Sequence, residues 1–439
     1  MRSPRLIWQT LAAVFVLSFA ALGWAGREIY LAAPPIPVEV VIDDGRVIYS
    51  GADISRGQQV WLAAGGQQLG SVWGHGGYVA PDWSADWLHR EALGLRAELA
   101  AQVFATPYAE LTFEQRAGID ARASAEMRRN DYDADSGTLH ISSARAAAIS
   151  RVAAHYGELF GDGRALDALR EQYAMSADSV PAAADRNALT AFFFWSSWAA
   201  ATDRPGESGL SYTSNWPHEP LVDNRMTAGS AIWSIVSIVL LIAGIAGMLW
   251  YHGTQHEPAP PVAPARDPLL GARATASMLA TRKYFFVVVG ILLLQVVMGV
   301  ITAHYAVEGQ TFFSLPLGEL LPYVVSRTIH TQTGIFWIAT AWLATGLYIA
   351  PLLSGKEPAR QKLGVDLLFW ALVAIVVGST VTGWLGTLQA RGTDYAFWIG
   401  NQGLEFTSMG RVWQILLFVG LLFWLFLMGR ALWPALRRP

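Results

Sequence analysis

The sequence predicts an all-α polytopic membrane bundle of six transmembrane helices carrying one exported soluble domain, and three observations lead there. Only 15% of the 439 residues are charged while 53% are hydrophobic, against a charged share of roughly a quarter in ordinary soluble domains. Six stretches, residues 7–26, 231–251, 284–307, 334–353, 367–390 and 412–429, contain no Asp, Glu, Lys or Arg. Each is close to the roughly 20 residues that a helix needs to cross a hydrocarbon layer of about 30 Å. The net charge of −3 conceals a split: residues 31–225 hold 25 acidic and 15 basic side chains, a net of −10, and the remainder holds 9 and 16, a net of +7.

The first stretch comes after a short basic segment with Arg2 and Arg5. Its apolar run exceeds that of a signal peptide, so residues 1–30 read as an uncleaved anchor; either reading exports the next segment of chain. Residues 31–225 form the exported domain. They open on a Pro-rich, β-prone stretch, residues 34–41, and turn Ala/Arg/Glu-rich and helical in pattern from Trp83 to about Tyr173. Asp131, Asp133 and Asp135 interrupt that pattern, with a glycine too late and no closing glutamate for a calcium loop, and read as a solvated turn. Residues 226–439 then hold five spans. Lys and Arg accumulate on the cytoplasmic side of short connections. Arg266, Arg273, Arg282 and Lys283, then Lys356, Arg360 and Lys362, then Arg430, Arg437 and Arg438 therefore mark the inner side, with both termini there. The Pro-rich residues 257–264 read as an extended spacer.

The same composition excludes several chemistries. With no cysteine the chain cannot form disulfides, iron–sulfur clusters, thiolate metal sites or thioether-linked haem. No basic face is concentrated in the soluble part, which argues against nucleic acid as a partner and leaves membrane lipid. Nothing matches a phosphate loop, a nucleophile elbow or a zinc-binding HExxH helix.

Three groups of residues can carry chemistry. His330, in SRTIHTQTGIFWI, sits about one turn before Gly334 at the outer end of the fourth apolar stretch. An ionisable group at that depth faces a partner, a cavity or a cofactor. It reads either as a neutral histidine bonded to a neighbouring helix or as an axial haem ligand. His304 and Glu308, in ITAHYAVE, are four apart and share one helical face. They read either as an interfacial polar pair or as a quinol site, where the imidazole accepts a hydroxyl hydrogen bond and the carboxylate takes the released proton. The glycine-rich WGHGGY, residues 73–78, is flanked by aromatics and unusual for a surface loop, though its glycines alone read as a tight turn, and Glu405 in NQGLEF reads as a solvated carboxylate.

The order of these segments, SVWGHGGYVAPDWSADWLHRE, ITAHYAVEGQ, SRTIHTQTGIFWIATAWLATGLYIAP and GRVWQILLFVGLL, resembles the quinol-dependent nitric oxide reductase family of the haem–copper oxidase superfamily. The resemblance runs from end to end of the chain. It implies that the exported domain has a cytochrome c-like fold without its haem, that His330 is one axial ligand of haem b, and that His304 and Glu308 line the quinol site. It further implies that Glu405 and the segment from Gly76 to Tyr78 resemble calcium-binding elements. Reduction of nitric oxide in a bacterial inner membrane would be the activity.

Ile329 stands where the family pattern leads one to expect Trp, and Thr333 where a bulkier apolar residue is expected. Family members carry further spans. The second haem b histidine, the proximal ligand of the catalytic haem and the ligands of the non-haem iron are accordingly expected beyond residue 439 or in a second subunit. The competing expectation, from a different class, is a truncated or repurposed membrane protein that binds quinone or haem, or acts as a scaffold, without catalysis of its own.

Overall fold

The computed structural model describes residues 4–75, 79–254, 265, 268–311, 315–389, 392–403 and 408–436. It is predominantly helical, in two regions. The first helix, α1 (Pro4–Leu31), is the N-terminal span. A soluble domain comes next, built on α2 (Gly51–Ala63), α3 (Trp83–Phe104), α4 (Phe113–Arg128), α5 (Ser143–Leu159), α6 (Asp167–Gln172) and α7 (Ala183–Ala201). Side-chain caps start these helices where the sequence supplies an oxygen acceptor: Ser50 with Asp53 forms a capping box on α2, Asp82 caps α3, Thr112 with Gln115 caps α4 and Ser142 caps α5.

A small sheet joins the start of this domain to its middle. The strands β1 (Glu39–Ile42), β2 (Val47–Ser50), β3 (Tyr132–Asp133) and β4 (Thr138–Ile141) lie in the order β2-β1-β4-β3, with β1 parallel to β4 from Glu39 opposite Thr138. The β-prone residues 34–41 thus become only partly strand. The Asp-rich interruption is the β3–β4 turn, as a solvated turn requires: Asp133 accepts from Asp135 N at 3.0 Å and from Ser136 Oγ at 2.7 Å, bonds that hold its carboxyl below the usual range. A two-stranded ribbon, β5 (Asp203–Arg204) and β6 (Glu207–Ser211), succeeds α7.

The core of the domain is aromatic. Trp83, Trp87, Tyr156, Phe160 and Phe193 are each at most 2% exposed; Trp87 stacks on Tyr156 at 5.4 Å between centroids and Trp83 on Phe193 at 5.7 Å. Burying large side chains of this kind is worth about 1.5–3 kcal/mol each. The helices α2 and α7 meet at Gly57, where a Cβ would run into the backbone of Ala188.

The membrane region contains α8 (Ala228–Thr254), α9 (Ala276–Ala280), α10 (Arg282–Glu308), α11 (Leu317–Leu320), α12 (Tyr323–Ser354), α13 (Gln361–Gln389), α14 (Thr393–Trp398) and α15 (Arg411–Leu436). Six segments are long and apolar enough to cross a membrane, α1, α8, α9 with α10, α12, α13 and α15. Of these, α10, α12, α13 and α15 pack together, through Tyr284, Ala344, Leu347, Val365 and Leu427 among others, whereas α1 and α8 are exposed along their lengths.

The fourth span begins at Tyr323, about three turns before the apolar stretch does. Polar residues there, Ser326, Arg327 and Thr328, lower its hydropathy, yet all are buried under the soluble domain and α10. His330 therefore lies well inside a helix rather than at its start.

The connections sort to two ends. At one, the soluble domain meets the loop after α10, where Gln310 N donates to Glu171 Oε1 at 2.7 Å, and the loop after α14, where Gln67 N donates to the Gly403 carbonyl at 2.8 Å. At the other, the amides of Ala276 and Ser277 donate to Glu357 at 3.1 and 2.8 Å, and Lys283 and Lys362 both reach Asp366, at 2.5 and 2.7 Å.

Candidate functional site

The site is built on the antiparallel pair α10 and α12. The two are joined by a short connection and tied near it by Tyr305, whose hydroxyl donates to the Leu321 carbonyl at 2.5 Å, and by Thr302 Oγ1, 3.2 Å from Ser326 Oγ. Further along, the part-buried His330 turns from α12 towards α10, with Nδ1 2.8 Å from the main-chain oxygen of Gln295. Only an N–H can bond to a carbonyl, so Nδ1 carries a proton, and it is Nε2 that holds the lone pair in the tautomer compatible with this bond. Nε2 has no hydrogen bond to any described residue. This is the arrangement in which a metal-bound histidine is commonly found, one nitrogen donating to a carbonyl and the other open to metal. The neutral-histidine reading foresaw the bond to a neighbouring helix, and the bond leaves the ligand reading equally open.

Beside the ring, Gly299 has no side chain, and a Cβ there would come within 2.8 Å of His330 Cε1 and Nδ1. Trp337, two turns beyond His330, donates from Nε1 to Gln295 Oε1 at 2.6 Å. The buried Thr333 returns its hydroxyl to the Ile329 and His330 carbonyls, at 2.6 and 3.1 Å. A bulkier apolar residue at 333 would lack that local bond.

His304 and Glu308 come together at the end of α10, with Nδ1 3.2 Å from Oε2. Next in the chain, Gly309 and Gln310 are clamped to Glu171 of the soluble domain. Two chemistry-bearing groups thus share one helix pair, His330 within it and His304–Glu308 at its end. A groove of about 780 Å³ opens nearby between the soluble domain and the membrane helices, with Glu171, Gln310, Glu319 and Tyr395 on its walls; His304, Glu308 and His330 do not line it.

Gly76, Tyr78 and Glu405 lie outside the described residues. Among the described residues no group of three or more His, Asp or Glu is assembled for a metal ion. The flanks of both segments are ordered by side-chain bonds: Asp82 accepts from Gly74 N at 2.6 Å and Ser71 Oγ at 2.7 Å, and Asn401 accepts from Gly403 N at 2.8 Å and Ser408 Oγ at 2.5 Å. One residue went unread in the sequence: Arg327, one turn before His330, is buried and bonded to the buried Gln68 of the soluble domain. Its signal was its being the single Asp, Glu, Lys or Arg of α12.

Residues 37–218 match the family model for the cytochrome c-like domain of NorB, a nitric oxide reductase component. Residues 279–439 match cytochrome C and quinol oxidase polypeptide I. The nitric oxide reductase NorB protein of Stutzerimonas stutzeri is 28% identical over 150 residues, covering 33% of this chain and 30% of that protein. The match therefore spans less than a third of the curated relative. Between them the two family models account for the soluble domain and the four packed spans, and with the curated relative they support a NorB-like protein of the haem–copper oxidase superfamily.

Proposed function

We propose that the chain provides the quinol-oxidising entrance and one haem b ligand of a nitric oxide reductase, in which two NO, two electrons and two protons give N₂O and water. The observation that carries the reading is the His330 ring, held through Nδ1 with Nε2 bonded to no described residue, on the same helix pair as the His304–Glu308 contact. His330 would hold haem b through Nε2, and that haem would supply one-electron chemistry there. This chain's own residues do the rest: His304 accepts a hydrogen bond from the quinol hydroxyl, and Glu308 receives the proton it releases.

In this reading the protein sits in the bacterial cytoplasmic membrane with the soluble domain outside. Arg282, Lys283, Lys356, Arg360, Lys362 and Arg430 gather at the end away from that domain, as expected of a cytoplasmic face. Calcium held by Glu405 and the Gly76 to Tyr78 segment is part of the same proposal and rests on the resemblance alone.

The test uses two substitutions in the full-length protein. His330→Ala should abolish the low-spin haem absorbance, and an unchanged spectrum refutes the ligand assignment. Glu308→Ala should depress quinol-driven turnover more than turnover with an artificial electron donor; equal losses rule out a quinol role.

A further inference from the structure

We infer that Gln295, Gly299, Gly334 and Trp337 form a reciprocal lock between α10 and α12 that sets the orientation of the His330 ring. The inference rests on the haem-ligand reading of His330 and deepens it. Each helix contributes one side chain and, one turn further on, one glycine: Gln295 with Gly299 on α10, His330 with Gly334 on α12. The helices run antiparallel, so each side chain lands on the other helix's glycine. A Cβ at Gly299 would meet His330 ring atoms at 2.8 Å, and a Cβ at Gly334 would meet Gln295 Nε2 at 2.7 Å.

The chemistry of the lock derives from helix geometry. A helical carbonyl points towards the residue four places on and uses one lone pair on that residue's N–H, leaving the second for another donor. The residue four places after Gln295 is Gly299. Without a Cβ there, the ring of His330 can approach edge-on and donate from Nδ1 to the Gln295 oxygen at 2.8 Å. The Gln295 side chain, held by Trp337 Nε1 at 2.6 Å, fills the space over Gly334 and prevents the helices from sliding.

The magnitude decides what the lock is for. Interhelical hydrogen bonds in membranes average about 0.6 kcal/mol, too little to hold the bundle together. A carbon placed 2.8 Å from a ring that prefers about 3.5 Å or more must move it by several tenths of an ångström, on the scale at which a functional group loses its geometry. The lock therefore acts on ring orientation, and Gly299, Gln295 and Trp337 are positioning residues.

The experiment compares reduced-minus-oxidised spectra and redox titrations of the low-spin haem in membranes containing the full-length protein. Gly290→Ala is the control, because an added methyl on the same helix meets nothing within 4 Å, and it should leave spectrum and midpoint potential unchanged. Gly299→Ala should weaken low-spin haem binding, about tenfold in affinity, and shift its absorbance band and potential. Trp337→Phe keeps the ring and removes the N–H; it should retain the haem with a shifted absorbance band and potential, and it decides the matter if Gly299→Ala does not accumulate. Wild-type spectra and potentials in Trp337→Phe and in any Gly299→Ala that accumulates, with the signal still lost in His330→Ala, overturn the lock. Survival of the signal in His330→Ala overturns the ligand reading instead.

Discussion

A carboxylate with no exposed surface, Glu91, lies 2.7 Å from Nε of Arg145, which is itself 4% exposed. Trp87 Nε1 donates to the second carboxylate oxygen at 2.8 Å, and the guanidinium sits over the Phe194 ring at 6.0 Å. Arg145 Nη2 finds no hydrogen-bond partner among the described residues. Two charges taken out of water are tolerated here because each is the other's counterion, and removing one strands the other. Glu91→Ala should therefore destabilise the soluble domain by about 3–5 kcal/mol. Replacing the pair with well-packed apolar residues of similar volume should cost far less. Thermal unfolding of the two variants distinguishes these cases, and similar losses in both would assign the effect to packing rather than charge. His330 has a related constraint, since the Nδ1 bond to the Gln295 oxygen fixes where a proton sits while Nε2 bonds to no described residue.

Helix contacts show which parts of the molecule a sequence can reveal. Spans, the acidic soluble domain and the β3–β4 turn were legible because each depends on local composition: unbroken apolar runs, charge balance, and an Asp-rich segment next to a glycine. The start of α12 was not, because Ser326, Arg327 and Thr328 read as polar until the soluble domain is seen to cover them. His330, His304 and Glu308 could be picked out as costly groups at membrane depth. Their surroundings could not, since Gln295 and Gly299 look like ordinary lipid-facing positions until α12 is laid against α10. The same limit applies to α2 and α7, whose crossing at Gly57 no spacing announces. Gly57→Ala should push these two helices apart and destabilise by about 1–3 kcal/mol, as overpacking does. Gly118→Ala, on the exposed side of α4 with nothing within 4 Å, should stabilise by about 0.5–1 kcal/mol. Opposite shifts in melting temperature are expected, and shifts of the same sign would contradict the packing assigned to α2 and α7.

At the scale of the whole molecule, alternating connections gather at two ends, and the chain's lack of cysteine makes their sidedness directly measurable. Single cysteines at Asp135, in the β3–β4 turn, and at Ala359, between α12 and α13, are both exposed. A membrane-impermeant maleimide should label Asp135→Cys from outside intact cells and Ala359→Cys only after permeabilisation; the reverse pattern would invert the proposed orientation. The end that holds the soluble domain has one more property. Gly66 and Gly403 approach so closely that a Cβ on either would strike the other's backbone, and Gln67 N bonds the Gly403 carbonyl. One of these loops is synthesised early and the other only after the fifth span. The contact therefore imposes an order on biogenesis: the soluble domain must wait, with this face uncovered, until the ribosome has delivered the loop that completes it.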